Sequence, residues 1–181
     1  MHEDDCQHRL VKCFLCYDGF NDVPLSGLTE HLCQEHKQEA FPYDRKLGQY
    51  GRRIATINDN FCKPIIKEDG EQRITFFINM VMQEGRYLFW ITHNLSKHED
   101  QAYEYTISLF SNKKTRGKFA RIAKHSGFCT PLDANSKACL PCLVIPEDFI
   151  KKSVFTIFDS GKVEHKVTYE ICIDKANNML L

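Results

Sequence analysis

The sequence predicts a mainly β protein: a small unit built on cysteines and histidines, followed by an antiparallel β-sandwich with one or two short helices. Three observations predict it. Cys13, Cys16, His31 and His36 form a close Cys pair, a spacer and a close His pair, the order and spacing that read as a zinc site. From Arg53 onward the chain falls into short runs rich in Ile, Val, Thr, Tyr and Phe, separated by charged or Gly-, Asn- and Pro-bearing turns; that is strand composition. Two of those runs alternate apolar and polar residues with period two, as strands with one buried face do. The expected division is a zinc-finger region over 1–40, a linker over 41–52 and a sandwich over 53–176.

Composition narrows the function classes. The chain has 181 residues, 43% hydrophobic and 27% charged, enough for one ordinary domain and a small module. Lys+Arg and Asp+Glu are both 24, so bulk charge favours neither nucleic acid nor an anionic membrane. There are nine Cys, an odd number, and Cys62, Cys129 and Cys172 lie far from any partner motif. A secreted disulfide scaffold fits poorly, and a reducing compartment, cytoplasmic or nuclear, is expected. The opening MHEDDCQHR has no apolar run and is not read as a signal peptide. No stretch approaches the length of a membrane span.

In chain order, His2 and Cys6 come first, four positions apart. Alone they cannot hold a metal. Next is Cys13 to His36. Zn²⁺ takes four N or S ligands in a tetrahedron, and a two-residue gap lets a tight turn aim two thiolates at one point. His31 and His36 are little more than one helical turn apart, so a helix from about Ser26, its expected N-cap, can present both. Cys33 is an alternative fourth ligand; His36 is preferred. Four protein ligands leave no open position, so the site is structural. Only Phe20 and Leu28 are evident as local core, so the metal is expected to supply folding energy. The spacer carries Asp18, Asp22 and Glu30 but no Lys or Arg, which argues against a DNA-reading finger. Lys37 to Arg53 is polar, with Pro42, Gly48 and Gly51, and reads as a linker.

The strand runs are RRIATIND, RITFFINMVMQ, YLFWITHNL, AYEYTISLF, KFARIAKH, CLVIP, VFTIF and HKVTYEICI. Alternation is clearest at Tyr103, Tyr105, Ile107 and Leu109, and again at Val167, Tyr169, Ile171 and Ile173. One helix is expected near PEDFIKKSVF: Pro146 opens it, Glu147 and Asp148 suit its N-terminus, and Phe149, Ile150 and Val154 share a side. The KKTRGK run, Lys113 to Lys118, reads as a solvated hairpin tip, RITFFINMVM and Trp90 as core, and His93 and His98 as surface residues beside a polar turn. Cys139 and Cys142 form a second C-x-x-C that His125 and Cys129 could complete, but strand and loop are the preferred reading. No nucleophile constellation stands out.

Taken together, these motifs resemble the seven-in-absentia (SIAH-type) family of E3 ubiquitin ligases. HEDDC-QHR-LVKC is similar to the junction between that family's two zinc fingers, H-E-x-x-C-x-x-R-x-x-x-C, which would make His2 and Cys6 the closing ligands of an incomplete first finger. LTEHLCQEHK is similar to the end of the second finger. MVMQ at 80 to 83, LFSNKKTRGKFARIAKHSG at 109 to 127, the CLVI before Pro146 and KVTYEIC at 166 to 172 fall where the family has its sandwich strands.

The resemblance implies a TRAF-like, eight-stranded sandwich that dimerises with itself or with related ligases. It implies recruitment of protein substrates or adaptors through an extended V-x-P peptide added to a strand edge, for ubiquitin-dependent degradation. The implied groove lies between Arg53–Asn58 and Ile78–Gln83, with Ala55, Thr56, Met82 and Gln83 contacting the peptide. Asn79 stands where the family carries Trp. The family's RING domain, which recruits the ubiquitin-conjugating enzyme, has no counterpart in these residues. The expectation is the recognition part of a longer ligase or, alternatively, a RING-less adaptor or inhibitor. A nucleic-acid-binding finger protein is the third and weakest reading.

Overall fold

The computed structural model describes residues 6, 8–13, 15–16, 22–43, 50–57, 60–69, 72–95, 103–115, 118–132, 142–153, 155–159 and 162–176. The N-terminal unit opens with a small antiparallel ribbon, β1 (Leu10–Lys12) against β2 (Asp22–Pro24), with Val11 opposite Val23. A 3₁₀ turn over Leu25–Gly27 leads into α1 (Leu28–Gln34). The helix begins later than the sequence suggests. Gly27, not Ser26, is its N-cap, and no side chain caps it; the 3₁₀ turn already uses Ser26. Leu28 and Leu32 share the buried side of this short helix, one turn apart.

The body follows as β3 (Phe41–Pro42), β4 (Tyr50–Thr56), β5 (Phe61–Asp69), β6 (Gln72–Gln83), β7 (Arg86–His93), β8 (Tyr103–Thr115), β9 (Lys118–Phe128), β10 (Thr130–Pro131), β11 (Leu143–Pro146), α2 (Glu147–Ser153), β12 (Phe155–Asp159) and β13 (Lys162–Lys175). Six strands make one sheet in the order β10-β7-β6-β5-β3, with β11 beside β10 on the same flank of β7. Five make the other: β4 and β8 flank β13 on opposite sides, β9 follows β8, and β12 pairs with the start of β13. Most pairings are antiparallel; β3 with β5 and β10 with β7 are the parallel exceptions.

The segment expected to be a linker thus supplies β3 and the start of β4. The strand β5 was not evident in the sequence either. Pro64 interrupts its pattern, and proline in a strand needs a side without ladder partners. Among the described residues β3 covers β5 only at Ile65 and Ile66, which leaves Phe61 to Pro64 paired on the β6 side alone.

One hydrophobic core lies between the two sheets. The residues read as alternating fill it: Tyr103, Tyr105, Ile107 and Leu109 from β8 meet Val167, Tyr169, Ile171 and Ile173 from β13, all buried. Ile74, Phe76, Ile78 and Met80 of β6 face them from the other sheet. Tyr43, just past β3, ties the sheets together. Its hydroxyl donates to the Ile173 carbonyl at 3.0 Å and accepts from the Ile173 N–H at 3.1 Å. Lys67 Nζ donates to the same carbonyl at 3.2 Å. Such bonds satisfy polar groups that burial would otherwise penalise.

The β6–β7 hairpin turns through Glu84 and Gly85, with φ of 49° and 70°. A two-residue turn with both φ positive matches the twist of its strands, and glycine takes the second position without strain. The Gly85 carbonyl accepts the Glu147 N–H at 2.9 Å, which anchors the start of α2. Helix α2 matches the expected PEDF start, with Glu147 and Asp148 in its first turn and Lys151 and Lys152 in its last. Only Ile150 packs inward, however; Phe149 is exposed and does not share its side. Val154 lies outside the described residues.

His93 corrects another expectation. It is buried, not on the surface, because it ends β7 on the core-facing side opposite Phe76. Its Nδ1 accepts the Leu95 N–H at 3.2 Å and its ring meets Phe76 edge-on. His98 lies outside the described residues. Trp90 is half-buried on the outward side of β7, opposite Asn79, so it is not part of the inter-sheet core. KKTRGK spans the β8–β9 connection, as a hairpin tip should. Among the described residues no helix is long and apolar enough to cross a membrane.

Candidate metal centre

Each ligand of the expected site is delivered by a different local device. Cys13 leaves the end of β1, and the Cys16 N–H closes back on the Cys13 carbonyl at 3.2 Å. That tight turn brings the two thiols to one side. His31 rides on α1. His36 stands two residues beyond the helix, in the turn that Glu35 opens by donating its N–H to the His31 carbonyl at 2.9 Å.

The four ligand atoms lie within 4.8 Å of one another. Cys13 Sγ is 3.4 Å from His36 Nε2; Cys16 Sγ is 3.3 Å from His31 Nε2 and 3.4 Å from His36 Nε2. Around a tetrahedral zinc, with S ligands at about 2.3 Å and N ligands at about 2.0 Å, sulfur and nitrogen would stand roughly 3.5 Å apart. The donor set and its spacing therefore fit a four-coordinate divalent ion of the zinc type. The two imidazoles are set edge to face, centroids 5.0 Å apart. His36, not Cys33, completes the group; Cys33 lies on α1 outside it.

The electrostatics suit a neutral apo pocket that loses protons as it loads. Burial raises the Cys13 thiol pKa, opposed by backbone N–H groups of Leu15 and Cys16 that point at the sulfur. Those amides would stabilise a thiolate held by a cation. Burial, then the neighbouring His31, lowers the His36 pKa, favouring the neutral imidazole that ligates metals. Loading should release thiol protons, so affinity should rise with pH.

Beneath the ligands lies a second small core. Val11, Cys13, Leu25, Leu28 and Leu32 pack with Cys62 of β5 and Phe77 of β6. Both belong to the outward side of the six-stranded sheet, opposite the main core. The floor of the metal unit is thus part of the body, and the expected local core of Phe20 and Leu28 is corrected accordingly; Phe20 lies outside the described residues. This docking also explains RITFFINMVM. Thr75, Phe77 and Asn79 are buried on one side of β6 as Ile74, Phe76 and Ile78 are on the other. A strand covered on both faces has no need to alternate. Arg9 fixes the other margin, donating Nη2 to the Leu132 carbonyl at 3.1 Å. Sequence reasoning missed Cys62 and Phe77 as site-supporting residues; their one signal is the missing alternation in β6.

Of the remaining expected site residues, His2 lies outside the described residues. Cys6 is half-buried and joins no ligand group among them. Cys142 and Cys129 are likewise in no such group, and Cys139 lies outside the described residues. Ala55 and Thr56 are on β4 in the five-stranded sheet, Ala55 in the main core. Met82 and Gln83 are exposed at the end of β6 in the other sheet. The two segments of the implied groove are not consecutive strands: β5 (Phe61–Asp69) lies between them in the chain. Asn79 is buried and donates Nδ2 to Phe77 O at 3.0 Å and Thr92 Oγ1 at 3.1 Å. No protein-family model matches the chain, and no curated protein matches it.

Proposed function

We propose that the chain is a zinc-stabilised protein-recognition module of the seven-in-absentia type, its two-sheet body a TRAF-like sandwich that recruits substrates or adaptors for ubiquitin-dependent degradation. The observation that supports this most is the combination of one closed Cys₂His₂ group with a two-sheet body whose outer face it packs against. A closed site offers no vacant position for substrate, so the metal's part is structural. Recognition then falls to the body. There β4 pairs with β13 alone among the described residues, and a strand edge of this kind offers main-chain donors and acceptors to an extended peptide.

The direct test is titration of the zinc-loaded chain with a fluorescent extended peptide carrying V-x-P. Saturable binding is expected. No binding by the folded, zinc-loaded protein would overturn peptide recognition of that type.

A further inference from the structure

Two cations from opposite sheets converge on one phenyl ring. Arg53 on β4 places its Cζ 4.9 Å, and Lys63 on β5 its Nζ 5.9 Å, from the centroid of Phe41 on β3. Lys63 Nζ also stands 5.6 Å from the ring of Phe61. Lys63 shares a side of β5 with Phe61 and Ile65, and Arg53 a side of β4 with Ala55; all three apolar neighbours are core residues. The charges therefore emerge at the seam between the sheets, not on an outer face.

The Lys63 ammonium is half withdrawn from water, and burial lowers its pKa. Among the described residues it has no hydrogen-bond acceptor and no ion-pair partner. The exposed Glu39 acts on it only from a distance. Two aromatic faces offset part of the desolvation. Among the described residues they leave its N–H donors without a protein oxygen, and a second cation over the same ring adds repulsion. Among the described residues the seam is also bordered by two open strand edges: β4 on the side away from β13, and β5 from Phe61 to Pro64.

From this arrangement we infer that the seam recognises an acidic peptide: an extended segment lies along a strand edge and places an Asp or Glu carboxylate between Lys63 and Arg53, over Phe41. The inference rests on the protein-recognition reading above and adds a chemical class to it. Strand edges suit a peptide main chain, whereas nucleic acid would need a longer basic tract on a protein that carries no net charge.

Selection from a displayed library of random short peptides tests it, using the zinc-loaded full chain as bait. Enriched sequences should carry an acidic residue at a fixed place. Replacing that residue by its amide should weaken binding about tenfold, the worth of a charge-assisted hydrogen bond. Lys63→Met, which keeps the aliphatic stem, should abolish the preference for acid over amide while the amide peptide still binds; Lys63→Arg should restore it. Acidic sequences without V-x-P would support the inference and overturn the family reading. V-x-P sequences indifferent to acid would do the reverse. No enrichment by the folded bait would overturn both. Inorganic phosphate competing as strongly as the acidic peptide would overturn recognition of a peptide in favour of a simple anion site.

Discussion

The metal unit and the two-sheet body meet the same requirement by opposite means. Among the described residues the main core gathers 25 buried residues, most of them from the two sheets, whereas the cluster at the metal ligands has 7, two of them lent by the body. A core of the first kind spreads its stabilisation over many side chains, each worth roughly 2 kcal/mol when buried. The second is too small to fold by burial alone, and four bonds to a bound ion would supply what it lacks. The difference should make the two regions fail in different ways.

Metal removal should give the largest effect. Binding of structural zinc by small domains is worth about 10 kcal/mol or more. Chelation, or Cys16→Ser, should unprotect amides of α1 and β1 to hydrogen exchange while β8 and β13 stay protected. Equal loss of protection in both regions would break the comparison. Phe76→Ala should be next, at about 4 kcal/mol, because the side chain is fully buried in the main core. Denaturant melts should show the body destabilised while the metal content of the remaining folded protein is unchanged.

Phe77→Ala sharpens the comparison, since Phe77 is the neighbour of Phe76 on the opposite side of the same strand. A cost of about 3 kcal/mol is expected, divided between the regions: the melting midpoint should fall, and zinc should be lost to a chromophoric chelator faster than from Phe76→Ala. Equal rates of loss would mean that the floor of the metal unit does not hold it. The most gradual effect concerns acid. Burial first, and then the Arg9 charge, lower the His93 pKa to about 4 from an ordinary 6.5. The unfolded chain therefore binds the proton more readily than the folded one. The contribution of His93 is fully present above pH 6.5 and shrinks as pH falls toward 4, by about 1.4 kcal/mol per pH unit. Urea melts of wild type and His93→Asn should converge over that window, whereas constant separation would contradict the shift.

Local spacing was the most legible part of the sequence. Four ligands set by a tight turn and a helix can be read from residue offsets, and they do converge. The alternation of β8 and β13 was equally direct, because each has one face against the core. What resisted reading depended on distant partners. β5 was hidden by Pro64, whose tolerance follows from an uncovered edge. His93 looked polar and exposed, but its strand ends inside the core. Phe149 looked like an inward residue, yet only Ile150 of α2 reaches the interior. Cys62 and Phe77 gave only the missing alternation of β6 as a sign, and that pattern does not say what covers the second face.

The Tyr43 hydroxyl spans 130 residues to reach Ile173. On a ribosome, the N-terminal unit could capture its ion long before β13 has been synthesised. The exit of that unit, however, stays unfastened until Ile173 has emerged. Closing so long a loop is slow. Until then the core-facing side of β6 waits without β13, so the interval before β13 arrives is when this chain has most need of a chaperone.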